Sequence, residues 1–145
     1  MSKKHPIVAV TGSSGSGTSN VKTAFEFIFR DEGIKPAIIE GDSYHRYNRK
    51  DMDEATRKAE AENRSITHFG PEGNLFDELD ALFSGYAETG NGRRRYYVHN
   101  EEEALKQGSP PGTLTDWEAL EENTDLLFYE GLHGGLVYDN FNIAQ

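Results

Sequence analysis

The sequence predicts an α/β domain with a mostly parallel sheet, and three observations lead to this prediction. Residues 7–10, 37–39 and 125–129 have the apolar composition of strands that are buried on both faces of such a sheet. A segment rich in glycine and serine joins the first of these runs to a stretch with helical periodicity. A chain of 145 residues suits one domain of ordinary size, so we assign residues 1–145 to a single domain.

The first two strands and the segment between them form a predicted βαβ unit. From Ser19 onward, apolar residues recur at helical spacing, and Gly33 stands where the helix would end. Pro36 then introduces the second strand, which ends at Glu40 and leads into Asp42. We expect the crossover between the two parallel strands to be right-handed.

The remaining elements are less regular. Residues 51–65 are charged with almost no large apolar side chain, which predicts a solvated helix or a mobile lid with little role in packing. An apolar stripe over residues 75–86 predicts a helix, with Asn74 as its N-cap. Residues 93–98 resemble a strand or extended segment, and residues 116–118 start an acidic helical turn or short helix.

The end of the sequence predicts an incomplete fold. Residues 140–145 carry no stop signal and no docking helix. Three strands are also few for a parallel sheet whose two faces must be covered by helices. We therefore expect the α/β fold to be incomplete on its C-terminal side.

Composition excludes several classes of function. The chain has 15 basic and 25 acidic residues, and a net charge of −10 argues against sequence-independent binding of nucleic acid. Cysteine is absent, which excludes thiol catalysis, thiolate metal sites and disulfide regulation. No apolar stretch approaches the roughly 20 residues of a membrane helix, so we expect a cytoplasmic protein without membrane contact. Residues 1–50 hold 8 basic and 5 acidic side chains, which favours an anion site there.

The segment between the first strand and the first helix has the features of a phosphate-binding loop. Its glycines allow backbone N–H groups to turn inward, and the helix N-terminus adds partial positive charge. The spacing matches G-x-x-x-x-G-K-[ST], except that Thr18 stands at the lysine position, and Ser19 supplies the hydroxyl expected on Mg²⁺. The candidate phosphate-binding residues are Gly12, Ser13, Ser14, Gly15, Ser16, Gly17, Thr18 and Ser19.

Two other interpretations of this loop remain open. One is an ordinary turn of glycine and serine, although the flanking strand and helix favour a phosphate loop. The other is a dinucleotide-binding loop in which Glu40 holds a ribose hydroxyl. The glycine spacing argues against it, because G-x-G-x-x-G is not satisfied and position 20 is Asn.

Asp42 is the candidate catalytic base. It follows the second strand, at the edge where an open α/β sheet places ligands. An Asp that orients and deprotonates an attacking hydroxyl is a recurrent part of phosphoryl-transfer sites, although a turn-forming Asp after Gly41 is the plain alternative. His45 and Arg49 follow closely and can hold a phosphate on a second substrate, Arg49 by a bidentate contact.

Glu130 is the candidate metal-binding acid. It ends the third apolar run, where strand-terminal acids of nucleotide-binding folds hold Mg²⁺ directly or through water. Ser19 can approach the same ion from the glycine loop. His133 follows in a glycine-rich rim loop, whereas residue composition alone favours a solvated or structural role for His99.

Five strings occur in order along the chain: VTGSSGSGTS, IEGDSYHRYNR, HFGPEGN, YVHNEEEA and LLFYEGLHG. Together they closely resemble the bacterial phosphoribulokinase family, which belongs to the uridine-kinase-like P-loop kinases, over essentially the whole chain. The resemblance implies a P-loop nucleoside-triphosphate-binding fold and ATP- and Mg²⁺-dependent phosphorylation of ribulose 5-phosphate in the Calvin cycle. It also implies a homo-oligomer with NADH and AMP as allosteric effectors.

The resemblance also implies roles for individual residues. The glycine loop would hold the ATP phosphates, Asp42 would be the catalytic base, and Glu130 would be the acid near the metal. His45 and Arg49 would contact the sugar phosphate, and His99 lies in a segment that resembles a substrate-side element. Thr18 in place of the loop lysine is similar to the bacterial family, which is expected to bring cations from elsewhere.

Length is the main departure from the family, whose members are about twice as long. We interpret the chain as an N-terminal fragment, because the absent half would hold basic residues that complete both phosphate sites. Three hypotheses remain: a sugar kinase, either of this family or a related uridine-kinase-like kinase; a nucleotide-binding fragment that transfers nothing; and a nicotinamide-dependent oxidoreductase.

Overall fold

A computed structural model of the chain describes residues 4–13, 15–138 and 141–143. Helices and short strands alternate along most of it. No helix within these ranges is long and apolar enough to cross a membrane. The elements are β1 (Ile7–Thr11), α1 (Thr18–Asp31), β2 (Pro36–Glu40), a 3₁₀ turn (Gly41–Tyr44), α2 (Arg49–Ala61), α3 (Phe76–Thr89), β3 (Arg93–Arg94), α4 (Glu101–Gln107), β4 (Glu118–Ala119), β5 (Leu126–Gly131), β6 (Val137–Tyr138) and β7 (Phe141–Asn142).

The main sheet is parallel and has the strand order β1-β5-β2. β5 lies in the centre, so the two strands of the predicted βαβ unit are not direct neighbours. At the carboxyl edge, Glu130 is in register with Val10 on one side and Glu40 on the other. This confirms the predicted α/β class and brings the ends of all three strands to one rim.

Alternation along β5 organises the core on both sides of the sheet. Leu127 and Tyr129 belong to the cluster formed with the apolar face of α3, and both are fully buried. Phe128 points to the opposite face, where its ring lies 5.1 Å from Phe25 and 5.6 Å from Phe29 of α1. Because successive side chains of a strand point to opposite faces, one central strand joins the two helical layers.

Two local predictions are wrong, and tertiary contacts explain each difference. Asn74 does not cap α3, because Leu75 precedes the helix without a side-chain cap and the Asn74 amide bonds elsewhere. Residues 116–118 are not helical. They lead into β4, which pairs with β3 while the Trp117 ring lies between two arginine side chains. The prediction of a strand or extended segment at residues 93–98 is confirmed, because Arg93–Arg94 forms β3, Tyr97 bridges to Leu114, and the Val98 N–H donates to the Thr113 carbonyl oxygen at 2.9 Å.

The charged segment after residue 48 forms helix α2, one of its two predicted states. It is more than a solvated surface, because Met52 and Ala59 are buried. Helix α4 was not predicted, although the sequence carries its signals. Asn100 caps it by accepting from the Glu103 N–H at 2.9 Å, and Gly108 ends it with a φ of 71°.

Candidate phosphoryl-transfer site

A cleft of about 690 Å³ opens at the carboxyl edge of the main sheet. The glycine loop forms one wall, the ends of β2 and β5 form the floor, and the segments around His68 and His99 form the opposite wall. Ser14 lies outside the described residues, and Ser16, Gly17 and Arg49 do not line the cleft. The predicted site residues that line it are Gly12, Ser13, Gly15, Thr18, Ser19, Asp42, His45, His99 and Glu130.

The glycine loop adopts a backbone that side chains at its glycines would disturb. Gly15 and Gly17 have φ values of 79° and 90°, in the left-handed region that favours glycine. A Cβ on Gly12 would lie 2.8 Å from the Thr18 methyl group and would also clash with Ser16. The backbone conformation therefore favours glycine at positions 15 and 17, and a side chain at position 12 would require Ser16 and Thr18 to move.

Helix α1 begins at the loop with its N-terminus open to a ligand. Its N-cap Gly17 provides no side-chain acceptor, and the first turn contains no acidic residue. The first N–H groups of a helix have no intrahelical partner, and the helix dipole makes this end partly positive. An anion in the cleft can supply the missing acceptors, which fits a nucleotide phosphate.

Lys22 is a cleft cation that the sequence analysis missed. It stands four residues after Thr18, so both side chains lie on one face of α1 and both line the cleft. Its Nζ lies 2.9 Å from Glu40 Oε1. Although burial opposes the charged form, the hydrogen bond to Glu40 and the charges of nearby carboxylates raise the pKa of Lys22. Glu40, which the dinucleotide interpretation assigned to a ribose, is thus occupied by an ion pair.

Asp42 lies between two histidines. His99 Nε2 is 2.9 Å from Asp42 Oδ2, and His45 Nε2 is 3.6 Å from Oδ1. The other ring nitrogen of His99 lies 2.9 Å from Glu103 Oε2, on the first turn of α4. Both nitrogens of His99 thus face carboxylates, an arrangement that requires both to carry protons.

The charges in this chain stabilise one another. His45 and His99 hold the pKa of Asp42 well below its usual range and outweigh burial, which acts in the opposite direction. His99 makes the closer contact, because 3.6 Å from His45 is longer than a hydrogen bond. The hydrogen bond to Asp42, opposed by burial and assisted by Glu103, raises the pKa of His99 to about 9. At neutral pH the site therefore holds a carboxylate beside an imidazolium.

The predicted metal-binding pair lies in the same cleft. Ser19 is in the first turn of α1, and Glu130 is on the central strand. Across the described ranges, no cluster of three or more His, Cys, Asp or Glu side chains is arranged to hold a metal. Mg²⁺ usually takes one or two protein ligands together with substrate phosphates, so the residues present fit an ion that binds with a nucleotide.

Arg49 is placed behind the cleft. Its Nη2 donates to the His99 carbonyl oxygen at 3.4 Å, and its side chain packs against Gly112.

The wall of the cleft is completed by a segment that the sequence analysis did not assign, which includes His68 and Phe69. His133 Nε2 lies 3.0 Å from the Phe69 carbonyl oxygen, and burial lowers the pKa of His133. The polar string HFGPEGN, residues 68–74, was the sequence signal that could have identified this segment as part of the site.

A glycine loop at a helix N-terminus, with an acid on the next strand edge, defines the class of nucleotide-phosphate-binding α/β proteins. The family model described as "Phosphoribulokinase / Uridine kinase family" matches residues 7–145, so the chain belongs to this family. The family resemblance of its sequence motifs is thereby confirmed.

Curated relatives agree with this assignment. The chromosomal phosphoribulokinase of Cupriavidus necator is 57% identical over 100% of this chain and 50% of its own length. Phosphoribulokinase 2 of Cereibacter sphaeroides is 52% identical with the same coverage. The chain thus spans about half the length of the curated relatives it matches.

Solved structures show the same relationship. The phosphoribulokinase from Rhodobacter spheroides superposes with a TM-score of 0.86 at 47% identity, covering 99% of this chain and 48% of that one. A D-glycerate 3-kinase from Cryptococcus neoformans has a TM-score of 0.53 at 13% identity, over 91% of this chain and 44% of its own. The second similarity shows the fold alone.

Proposed function

We propose that this chain is the nucleotide-binding and base-bearing part of a kinase that converts ribulose 5-phosphate to ribulose 1,5-bisphosphate. The observation that carries the proposal is the position of Asp42 in the same cleft as the glycine loop. The family of the chain supports the substrate assignment, since the relatives most similar to it are named phosphoribulokinases.

The glycine loop and the N-terminus of α1 bind the phosphates of ATP. Ser19 and Glu130 would hold the Mg²⁺ that accompanies them, Ser19 by its hydroxyl and Glu130 directly or through water. When bound, ATP would supply the phosphoryl group, and Mg²⁺ would neutralise part of the charge on it. The role of this chain is to hold the triphosphate so that its terminal phosphate lies close to Asp42.

Asp42 orients the C1 hydroxyl of the sugar and accepts its proton as the oxygen attacks the γ-phosphorus and ADP leaves. Each carboxylate oxygen has two lone pairs, so the contacts to His45 and His99 leave acceptor capacity for the hydroxyl. The Asp42 side chain is 57% exposed, which leaves it open to a substrate. A weakly basic carboxylate suffices, because phosphoryl transfer depends mainly on positioning and charge stabilisation.

The sugar phosphate binds on the histidine side of the cleft. His45 and His99 line it, and Arg49 supports the carbonyl of His99 from behind. We therefore keep these three residues as substrate-side candidates, with Arg49 in direct contact only if its side chain turns toward the cleft. The cytoplasmic location, the homo-oligomer and the allosteric effectors NADH and AMP also remain predictions.

The charge of the lining favours a second candidate, a fragment that binds nucleotide without transferring phosphate. Among the described residues, the lining includes Asp42 and four glutamates, with Lys22 as its one lysine and no arginine. A triphosphate tail needs more positive charge than this, and the proposed Mg²⁺ supplies only part of it. The phosphorylation of ribulose 5-phosphate by the 145-residue chain alone separates the candidates, since turnover at the level of the relatives would exclude the second.

The proposal is tested by Asp42→Asn in a chimera that adds the C-terminal half of the Cupriavidus necator relative to this chain. We expect turnover to fall by about 10³-fold or more, because removal of a general base typically costs 10²–10⁴-fold. ATP affinity should stay within about twofold, as measured by calorimetry. Asp116→Asn, outside the cleft, is the matched control. Retained turnover in the Asp42 variant would remove this residue from the role.

A further inference from the structure

Asn74 is a buried polar residue for which the glycine loop and the catalytic carboxylate provide no explanation. Only 2% of it is exposed. Its Nδ2 donates to the carbonyl oxygens of His68 at 2.7 Å and Gly70 at 2.8 Å, and its Oδ1 lies 3.0 Å from His45 Nδ1. A buried amide with this many contacts contributes to a defined local geometry.

These contacts determine the orientation of the Asn74 amide. Carbonyl oxygens only accept hydrogen bonds, so the side-chain atom facing His68 and Gly70 must be the NH₂ group. A reversed amide would place an oxygen against both carbonyls at distances below 3 Å. Oδ1 therefore faces His45, and because this oxygen only accepts, Nδ1 of His45 must carry a proton.

The backbone holds the same two residues together. His45 and Asn74 form an isolated antiparallel bridge, in which the Leu75 N–H donates to the Tyr44 carbonyl oxygen at 2.8 Å. The His45 ring also makes an edge contact with the Tyr97 ring, with the centroids 5.9 Å apart. The imidazole therefore has few ways to turn, and its Nε2 points toward Asp42.

We propose that Asn74 is a positioning residue that selects the Nδ1–H tautomer of His45, so that Nε2 is the nitrogen presented to the substrate. A neutral histidine with this tautomer offers Nε2 as an acceptor for a hydroxyl, and the charged form offers an N–H to a phosphate. The contacts of Asn74 place the proton on Nδ1, and the competing Asp42 carboxylate lies 3.6 Å from Nε2, beyond hydrogen-bond distance. The effect on sugar-phosphate binding rests on the proposed kinase function.

The tautomer is measured directly by ¹⁵N NMR of the histidine side chains, at a pH where the His45 ring is neutral. In the unmodified chain we expect a pyrrole-type Nδ1 and a pyridine-type Nε2, although free imidazole side chains favour the opposite tautomer. This spectrum decides the point even if every Asn74 variant fails to fold. A pyridine-type Nδ1 would overturn the proposal.

Substitutions of Asn74 and Thr67 then distinguish an effect on the His45 tautomer from an effect on the order of the loop at residues 67–70. Asn74→Leu should shift His45 toward the Nε2–H form. Asn74→Asp loses the donor to the His68 and Gly70 carbonyl oxygens but retains the acceptor for His45, so it should preserve Nδ1–H even where the loop is disturbed. The matched control is Thr67→Val, which removes the hydrogen bonds that the Phe69 and Gly70 N–H groups donate to Thr67 Oγ1 and does not touch His45. A tautomer shift in this control, or none in Asn74→Leu, would contradict the role of Asn74.

The functional consequence is measured in the chimera. Asn74→Leu should raise the KM for ribulose 5-phosphate about tenfold, the effect of one lost hydrogen bond, while the KM for ATP changes less than about twofold. A changed tautomer with an unchanged sugar-phosphate KM would refute the positioning role. Because NMR does not depend on turnover, an inactive chimera would count against the proposed function and leave the tautomer result intact.

Discussion

Replacement of His99 by Gln tests the charge chain around Asp42. The substitution removes the titratable imidazole but leaves an amide that can donate to Asp42. In the native protein the contacts to Asp42 and Glu103, against the opposing effect of burial, raise the pKa of His99 from 6.5 to about 9. The folded protein therefore holds this proton more tightly than the unfolded chain does.

The magnitude follows from the pKa and the exposure of the side chain. The rise would correspond to about 3 kcal/mol if nothing screened the charges. Because 39% of the His99 side chain is exposed, solvent screening reduces the contribution to about 1 kcal/mol. The folded pKa lies above the unfolded one, so this stability is complete below about pH 6.5 and is lost as the pH rises through about 9.

Urea unfolding of both proteins between pH 6 and pH 10 measures the effect. The difference between the two free energies of unfolding should shrink by about 1 kcal/mol across this range, since all other titrating groups are common to both proteins. His99→Leu, which removes the donor as well, should show the same pH dependence with a larger constant loss. Parallel curves for the native protein and His99→Gln would refute the proposed charge chain.

Three further substitutions test the packing around the site by urea unfolding. Gly41→Ala should cost about 2 kcal/mol, because a Cβ there would lie 2.5 Å from the buried Tyr129 hydroxyl; an unchanged stability would show that the strand ends can separate. Leu127→Ala should cost about 3 kcal/mol, since its side chain is fully buried in the central strand; a loss below about 1 kcal/mol would contradict this packing. Tyr86→Phe should cost about 1 kcal/mol by removing the 2.8 Å hydrogen bond to Thr124 Oγ1, whereas Thr89→Val, at an exposed hydroxyl on the same helix, should cost less; equal losses would refute this difference.

The sequence predicted those parts of the fold that depend on local patterns. The three main strands, the glycine loop and helix α1 each arise from a continuous run of residues with a clear local pattern, and the structure contains all of them. The cleft was also predictable, because the carboxyl ends of parallel strands meet at one edge. Asp42 and Glu130 could therefore be assigned to one site before their neighbours were known.

Contacts distant in sequence account for what could not be predicted. Nothing near Asp42 indicates that His99 approaches it, because that contact depends on the placement of α4. Asn is a favoured N-cap residue, yet the side-chain amide of Asn74 makes its hydrogen bonds with His45 and two loop carbonyl oxygens. Trp117 lies in an acidic stretch that suggests a helical turn, but its packing between Arg93 and Arg95 favours an extended chain.

The central place of β5 has a consequence for protein synthesis. The ribosome makes β1 and β2 first, yet neither has its partner until residues 126–131 have been translated, because Ile7 pairs with Leu127 and Ile39 with Tyr129. Closing so long an intervening segment slows folding, and the unpaired strand edges are prone to aggregation in the meantime. The nascent chain can assemble its sheet only after β5 has left the exit tunnel.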